Sequence, residues 1–253
     1  DFCLSRGLGD VYKRQKLQEI AETAFGNRRG AMVAINPKTG AVLSYVSQPG
    51  FDPNLFVDGI DVDNWKWLNE SLDKPLVNRP IRGIYPPGST FKPFVAMAGL
   101  ENANRLPPYR ISDPGYYSLA NSRHRYRDWK PDGHGMVDMQ KAITVSCDTF
   151  FYGLALDLGI IRLTDFVRHF GFGAKSGIDI RGENAGLLPT PEWKMRRFKQ
   201  PWYQGETVIV GIGQGYTLVT PMQLAQATAT LANNGVAMRP HTVVAMQSPA
   251  TGR

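Results

Sequence analysis

Ser89 and Lys92 stand three apart in the run Tyr85-Pro86-Pro87-Gly88-Ser89-Thr90-Phe91-Lys92. On the first turn of a helix that spacing puts both side chains on one face, where their heads can meet. A serine hydroxyl is a poor nucleophile until a base takes its proton, and a lysine can serve when burial or a neighbouring cation lowers its pKa. Free backbone N–H groups and the dipole at the helix start also favour negative charge on an attacked carbonyl. The chemistry these residues allow is acyl transfer through a covalent serine intermediate. By itself the pair also fits an ordinary solvated helix, because Ser-x-x-Lys arises by chance on many surface helices. The turn is read as facing solvent, so Lys92→Ala is expected to remove the chemistry and leave the fold intact.

A second serine follows in Ser146-Cys147-Asp148, at the head of an apolar run. Ser-x-x-Lys with Ser-Asp-Asn and Lys-Thr-Gly is the motif set of the serine β-lactamases and penicillin-binding proteins. Further blocks surround the two serines: Arg125-Tyr126-Arg127-Asp128-Trp129-Lys130, Gly133-His134-Gly135, Asp148-Thr149-Phe150-Phe151-Tyr152 and Gly211-Ile212-Gly213-Gln214-Gly215-Tyr216. With these blocks in order, the chain resembles the class B penicillin-binding proteins of the rod-shape elongation type, from about Leu17 to its C-terminal end. The resemblance implies an α+β transpeptidase fold of the penicillin-binding protein/β-lactamase kind, an antiparallel sheet with helices. It implies that Ser89 forms the acyl-enzyme, that Lys92 is the base for acylation, and that Ser146 relays protons to or from the leaving amine. Asp148 stands where the wider superfamily has Asn. An amide both donates and accepts, whereas an ionised carboxylate only accepts, so Asp148 either meets substrate differently or pairs with Lys92 and holds its ammonium in place.

The implied activity is that of an acyl-serine D,D-transpeptidase. It cross-links peptidoglycan stems ending in D-Ala-D-Ala, with water as the competing acceptor, and it is a penicillin target in cell elongation. Expected partners are stem peptides, β-lactams and a membrane glycan polymerase, at the periplasmic face of a bacterial inner membrane. No cofactor is required. A β-lactamase would need a positioned base and water to clear its acyl-enzyme, and no glutamate suited to that is identifiable. A non-catalytic sensor or scaffold would have no use for Ser89, Lys92 and Ser146 together.

The literal Lys38-Thr39-Gly40 precedes both serine motifs and follows Asn36-Pro37, so it is read as a hairpin turn and not as the third motif. No Lys-Thr-Gly or Lys-Ser-Gly follows Asp148. The domain is therefore expected to lack its C-terminal strands and to leave the hairpin edge unpaired. Gly211–Gly215 does not have G-x-G-x-x-G spacing, and is read as close packing beneath the site. Asp113, Asp128, His134 and Cys147 supply the hard and soft donors that a tetrahedral structural Zn²⁺ accepts, and some relatives carry such a metal near the second motif. The competing reading is a small buried cysteine beside a hydrogen-bonded loop histidine.

Positioning these groups falls to the elements around them. Residues 1–15 lack sustained periodicity and are read as a non-native leader, with residues 16–253 one partial transpeptidase domain. Leu17, Ile20, Ala21 and Ala24 recur at helical spacing. Ala31–Ile35 and Ala41–Val46 form a hairpin, and the proline-rich stretch from Gln48 to Pro87 is expected to be mostly irregular. A helix opens at Gly88 and runs to about Glu101, with Pro93 in its first turn. A long loop reaches Asp138, a buried helix spans Asp148–Leu158, and a short one spans Thr164–Phe170. Thr220 caps a last helix that ends near Asn233.

The excess of 29 basic over 22 acidic residues, net +7, would permit a polyanionic partner. The basic clusters Arg123, Arg125, Arg127, Lys130 and Lys194, Arg196, Arg197, Lys199 fall in no nucleic-acid motif. They are read as solvated surface or a partner face. Cys3 and Cys147 make no disulfide framework. No apolar run reaches the roughly 18 residues a membrane helix needs, so an anchor is expected outside this sequence.

Overall fold

The computed structural model describes residues 8–102 and 104–243, with side chains from Gln15 onward. In chain order the elements begin with α1 (Leu8–Phe25), β1 (Gly30–Ile35), β2 (Val42–Gln48), α2 (Val62–Glu70), α3 (Arg79–Arg82) and α4 (Lys92–Glu101). Short strands β3 (Ile111–Asp113), β4 (Tyr116–Tyr117), β5 (Tyr126–Arg127) and β6 (Gly135–Val137) follow. Helices α5 (Met139–Thr144), α6 (Asp148–Arg168), α7 (Pro191–Phe198), α8 (Gln204–Val210) and α9 (Pro221–Ala232) complete the order. These elements sort into two compact units, the first holding the chain up to Ile84, Ala174–Ala185 and the residues from Thr220 on, the second Tyr85–Gly173 and Gly186–Val219.

In the first unit β1 and β2 pair antiparallel, with Val33 opposite Tyr45 and Ala31 opposite Ser47. Their connection is tied by Lys38 N–H to Asn36 Oδ1 at 3.0 Å and Gly40 N–H to Asn36 O at 2.8 Å, so Lys38-Thr39-Gly40 is turn chemistry. Among the described residues this sheet has two strands. The β2 edge is nevertheless partly occupied. Gln18 on α1 accepts from Tyr45 N–H at 2.8 Å and donates to Tyr45 O at 2.9 Å, while Val42 N–H donates to His241 O at 2.9 Å. That edge is therefore less open than a bare hairpin would be.

Val42, Ile81, Ile178 and Met222 form a buried cluster with Val33, Ile35, Tyr45 and Ile180 against it, each such side chain contributing about 1.5–3 kcal/mol on full burial. Thr220 and Gln223 close a reciprocal capping box at the start of α9 (3.1 and 2.8 Å). The Gln223 amide reaches on to Ala174 O and Ala185 O at 2.6 and 2.7 Å, pinning the segment between them.

The backbone is helical back to Leu8, and residues 1–7 of the leader proposed for 1–15 lie outside the described residues. One expectation about this unit changes. The proline-rich stretch holds the nine-residue α2, capped by Asp61, whose carboxylate accepts from Asp63 N–H and Asn64 N–H. Of its residues only Leu68 is buried, so it carries little apolar periodicity to betray it.

The second unit is built on α4, α6 and α8. Phe91, Phe94, Phe170 and Phe172 interlock edge-on, with ring centroids 5.0–5.1 Å apart for Phe91–Phe172, Phe94–Phe170 and Phe94–Phe172. The two helices expected at 148–158 and 164–170 are the two helical segments of α6, separated at non-helical Gly159 with φ 73° and ψ 157°: the first ends at Leu158 as expected, and the second starts earlier, at Ile160, and ends at Arg168. Gly88 N–H donates to Gly213 O at 2.9 Å, and a Cβ at Gly213 would lie 2.4 Å from Gly88 O, so the glycine-rich run packs directly against the turn bearing Ser89. Lys194, read as surface, is buried at 1% exposure, because its ammonium meets Glu206 at 2.5 Å and lies over the Tyr203 ring.

Candidate active site

Ser89 sits in a single tight 3₁₀ turn, Gly88–Phe91, anchored by fully buried Phe91. The α-helix expected to open at Gly88 begins at Lys92, with Pro93 in its first turn, where a missing N–H leaves no acceptor stranded. Lys92 does not face solvent: it is 2% exposed. Its ammonium donates to Ser146 O at 2.8 Å, Ser146 Oγ at 3.0 Å and Asp148 Oδ1 at 2.5 Å, which uses all three of its protons. Ser146 Oγ donates in turn to Ser89 Oγ at 2.8 Å. The heads of Ser89 and Lys92 thus meet through Ser146, a continuous polar run from Asp148 to Ser89.

Ser146 holds this place at a strained backbone position, φ 54°, in the turn between α5 and α6. Asp148 opens α6, and its second oxygen accepts from Trp129 N–H at 3.2 Å. Asp128 completes the support, because its Oδ2 accepts from Asp148 N–H at 2.7 Å and Thr149 N–H at 3.1 Å. A carboxylate from a distant loop thereby caps the α6 N-terminus, where the residue in the capping position, Cys147, makes no side-chain cap bond. Among residues that sequence reasoning passed over, Trp129 is the chief one. It reaches the site through its backbone N–H, and its Nε1 donates to Val145 O at 3.1 Å. The block Arg127-Asp128-Trp129 was visible, but no spacing rule ties it to Asp148.

On the other side of the same turn, Cys147 faces Asp113, Asp128 and His134. One donor atom from each of the four lies within 4.8 Å of the others. His134 Nδ1 is 2.7 Å from Asp113 Oδ2 and 3.6 Å from Asp128 Oδ1, and Cys147 Sγ donates to Asp113 Oδ2 at 3.3 Å. Two of these separations, 3.3 and 3.6 Å, fall within the roughly 3.3–3.8 Å edge of a tetrahedron built on ~2.0–2.3 Å bonds to Zn²⁺, while the 2.7 Å pair stands at hydrogen-bond distance. Burial pushes the Asp113 carboxyl up, but hydrogen bonds from Gly115 N–H, Thr149, His134 and Cys147 outweigh it and leave it below the usual range. Burial, with the charges of Asp113 and Asp128 beside it, pushes the Cys147 thiol well above its ordinary value. Two buried carboxylates separated by a thiol and an imidazole form a strongly negative enclosure, and the donor set suits a dication.

The family model described as the penicillin binding protein transpeptidase domain matches residues 30–251. The chain belongs to the penicillin-binding protein transpeptidase domain family. It is 51% identical over 225 residues to the peptidoglycan D,D-transpeptidase MrdA of Acinetobacter baumannii, a match covering 89% of this chain and 34% of that protein. It is similar to the crystal structure of Pseudomonas aeruginosa PBP2 in complex with WCK 5153, with TM-score 0.87, 55% identity, and coverage of 90% of this chain and 50% of that one. It also resembles the PBP2 of Helicobacter pylori solved in complex with MreC, with TM-score 0.87, 37% identity and coverage of 92% and 44%. The chain spans about a third of the length of the curated relative it matches. Among the described residues no helix is long and apolar enough to cross a membrane.

Proposed function

We propose that the protein is an acyl-serine D,D-transpeptidase that cross-links peptidoglycan stem peptides ending in D-Ala-D-Ala and is acylated by penicillins at Ser89. The observation that carries this is the hydrogen-bonded run from Lys92 through Ser146 to Ser89 within a transpeptidase-family domain. Ser89 Oγ attacks the carbonyl of the penultimate D-Ala. Its proton passes through Ser146 Oγ toward Lys92, which must be neutral at that moment. Asp148 holds Lys92 against Ser146. Collapse of the tetrahedral intermediate breaks the peptide bond, and Ser146 returns a proton to the departing terminal D-Ala. The amine of a neighbouring stem then attacks the acyl-serine, giving up its proton along the same route and freeing Ser89. Water in place of the amine gives carboxypeptidase activity.

Asp113, Asp128, His134 and Cys147 would hold a structural Zn²⁺ in this reading, whose chemistry is to cross-link the β3–β6 loop to the head of α6 and to take Cys147 as thiolate. In this reading the enzyme works at the periplasmic face of a bacterial inner membrane during elongation, beside a glycan polymerase and an MreC-type partner; its likeness to an MrdA transpeptidase, to a PBP2 solved with MreC and to a peptidoglycan synthase complex supports this.

Fluorescent penicillin tests the centre directly. It should label the protein, Ser89→Ala should abolish the label, and labelling that survives the substitution sinks the assignment.

A further inference from the structure

Arg123, Arg125 and Arg127 look like solvated surface in the sequence, but they line one concavity of about 600 Å³ together with Tyr116, His124 and Pro131. The walls are held in place. The Arg125 guanidinium lies 4.2 Å over the Tyr116 ring, and His124 stands edge-on to Tyr126 at 4.6 Å. β5, which carries Arg127, pairs with β4, and the Arg127 carbonyl accepts from Tyr152 OH of α6 at 3.0 Å. Among the described residues no carboxylate pairs with any of the three guanidinium groups. The acid at the rim, Asp128, is already committed to the N–H groups of Lys130, Asp148 and Thr149.

A concave cluster of unpaired guanidinium forks attracts a planar anion, for which Arg geometry is matched, and its size suits a short peptide rather than a broad surface. Its position narrows the choice. Asp128 lines the cavity, and the next residue, Trp129, donates to Asp148 beside Lys92, so the cavity adjoins the acylation centre along one stretch of chain.

We propose that this cavity is the subsite for the terminal carboxylate of the acceptor stem. The inference rests on the transpeptidase reading above. In that reaction the donor stem loses its C-terminal carboxylate with the departing D-Ala when Ser89 is acylated. The acceptor keeps its own carboxylate while its amine attacks. A fixed anion site near the acyl-serine therefore recognises the acceptor selectively and orients its amine, and it leaves the acylation step untouched.

The test uses Nα-acetyl-L-Lys-D-Ala as acceptor and its C-terminal amide as control, with the full-length protein acylated by a thioester donor. Wild type should favour the carboxylate form on the order of tenfold in kcat/KM and in equilibrium binding by calorimetry at low salt. The triple substitution Arg123→Ala/Arg125→Ala/Arg127→Ala should abolish that preference, mainly through KM, with penicillin labelling of Ser89 unchanged. The triple Lys variant should restore part of it, since it keeps the charge and loses the fork. Equal binding of the two probes to wild type, or a preference that survives the triple Ala change, overturns the subsite while labelling leaves the catalytic reading standing. Carboxylate preference without Ser89 labelling instead sinks the transpeptidase reading, and the acceptor assignment with it.

Discussion

Lys92 and Lys194 are both buried in the second unit, each with a carboxylate oxygen at 2.5 Å, and they differ in what else they touch. Lys194 turns its charge onto the face of Tyr203, and its partner Glu206 also accepts from Tyr203 N–H at 2.8 Å at the start of α8. Every contact there ends in a group that holds its place. Lys92 spends its remaining donors on Ser146, whose hydroxyl passes the run to a second hydroxyl, Ser89, in a solvent-facing turn. A buried lysine–carboxylate pair is thus poor evidence for chemistry by itself. What marks Lys92 is an exchangeable proton on the next atom, and a further one beyond it.

The largest effects should fall on Lys92. Lys92→Ala should slow penicillin acylation by about 10²–10⁴-fold, measured by labelling rate, as loss of a general base does. Contrary to the expectation from a solvent-facing turn, it should also destabilise the domain by about 3 kcal/mol in urea unfolding, because it strands Asp148 and empties a buried volume. Unchanged stability would show that Asp148 finds other partners and that Lys92 serves chemistry alone.

Chelation should come next. If Zn²⁺ sits behind Cys147, protein purified without chelator should contain it, and removing it should lower Tm by about 5–10 °C. Labelling should slow as well, because Ser146 and Asp148 flank Cys147 in one turn. His134→Ala should reproduce both effects. The Lys194 region has no such link, so protein without metal by elemental analysis, or a chelator effect absent from the labelling rate, would remove the proposed distinction between the two regions.

A double-mutant cycle at Lys194 and Glu206 sharpens the comparison from the other side. Glu206→Ala alone should cost about 3 kcal/mol by leaving a buried ammonium unpaired, while Lys194→Met with Glu206→Gln should recover most of it. Labelling rates should stay within about twofold of wild type throughout. A larger loss of labelling would mean that the α7–α8 region reaches the acyl site after all.

The chemistry was more legible in the sequence than its wiring. Ser89, Lys92, Ser146 and Asp148 stood out because type and spacing together carry their message, and the helix after Thr220 because capping residues bracket it. The relay role of Ser146 came from the family resemblance, but the placing of Ser146 directly between Lys92 and Ser89 and the cap from Asp128 were not legible. Each joins residues far apart in the chain by one hydrogen bond, which leaves no periodic trace. Lys194 and Lys92 were misplaced on the surface for a related reason: a charged residue is normally exposed, and its burial depends on a partner that local pattern does not name. Helix α2 was hidden by its own exposure, since polar residues cover most of its faces.

The smallest effect concerns the first unit, where a single carboxylate ties the strand-end backbone and no buried lysine takes part. Asp179 accepts from Thr242 N–H at 2.9 Å, Thr242 Oγ1 at 2.8 Å and Val243 N–H at 2.8 Å. Partial burial pushes its carboxyl up, but the N–H groups of Val243 and Thr242 and the Thr242 hydroxyl outweigh it, so its pKa lies below the ordinary carboxylate value. A depressed folded-state pKa means the unfolded chain binds the proton more readily. The contribution is therefore fully present above the unfolded value of about 3.9 and is lost as pH falls through the lower folded value. Asp179 is exposed, so solvent screening keeps the effect small. Asp179→Asn should lower Tm by about one or two degrees at pH 6, and the gap from wild type should close as pH drops below about 4. The Lys92 and Lys194 variants should change neither that gap nor its pH range. A gap that persists unchanged at low pH would show that the tie depends on hydrogen-bond geometry and not on the carboxylate charge.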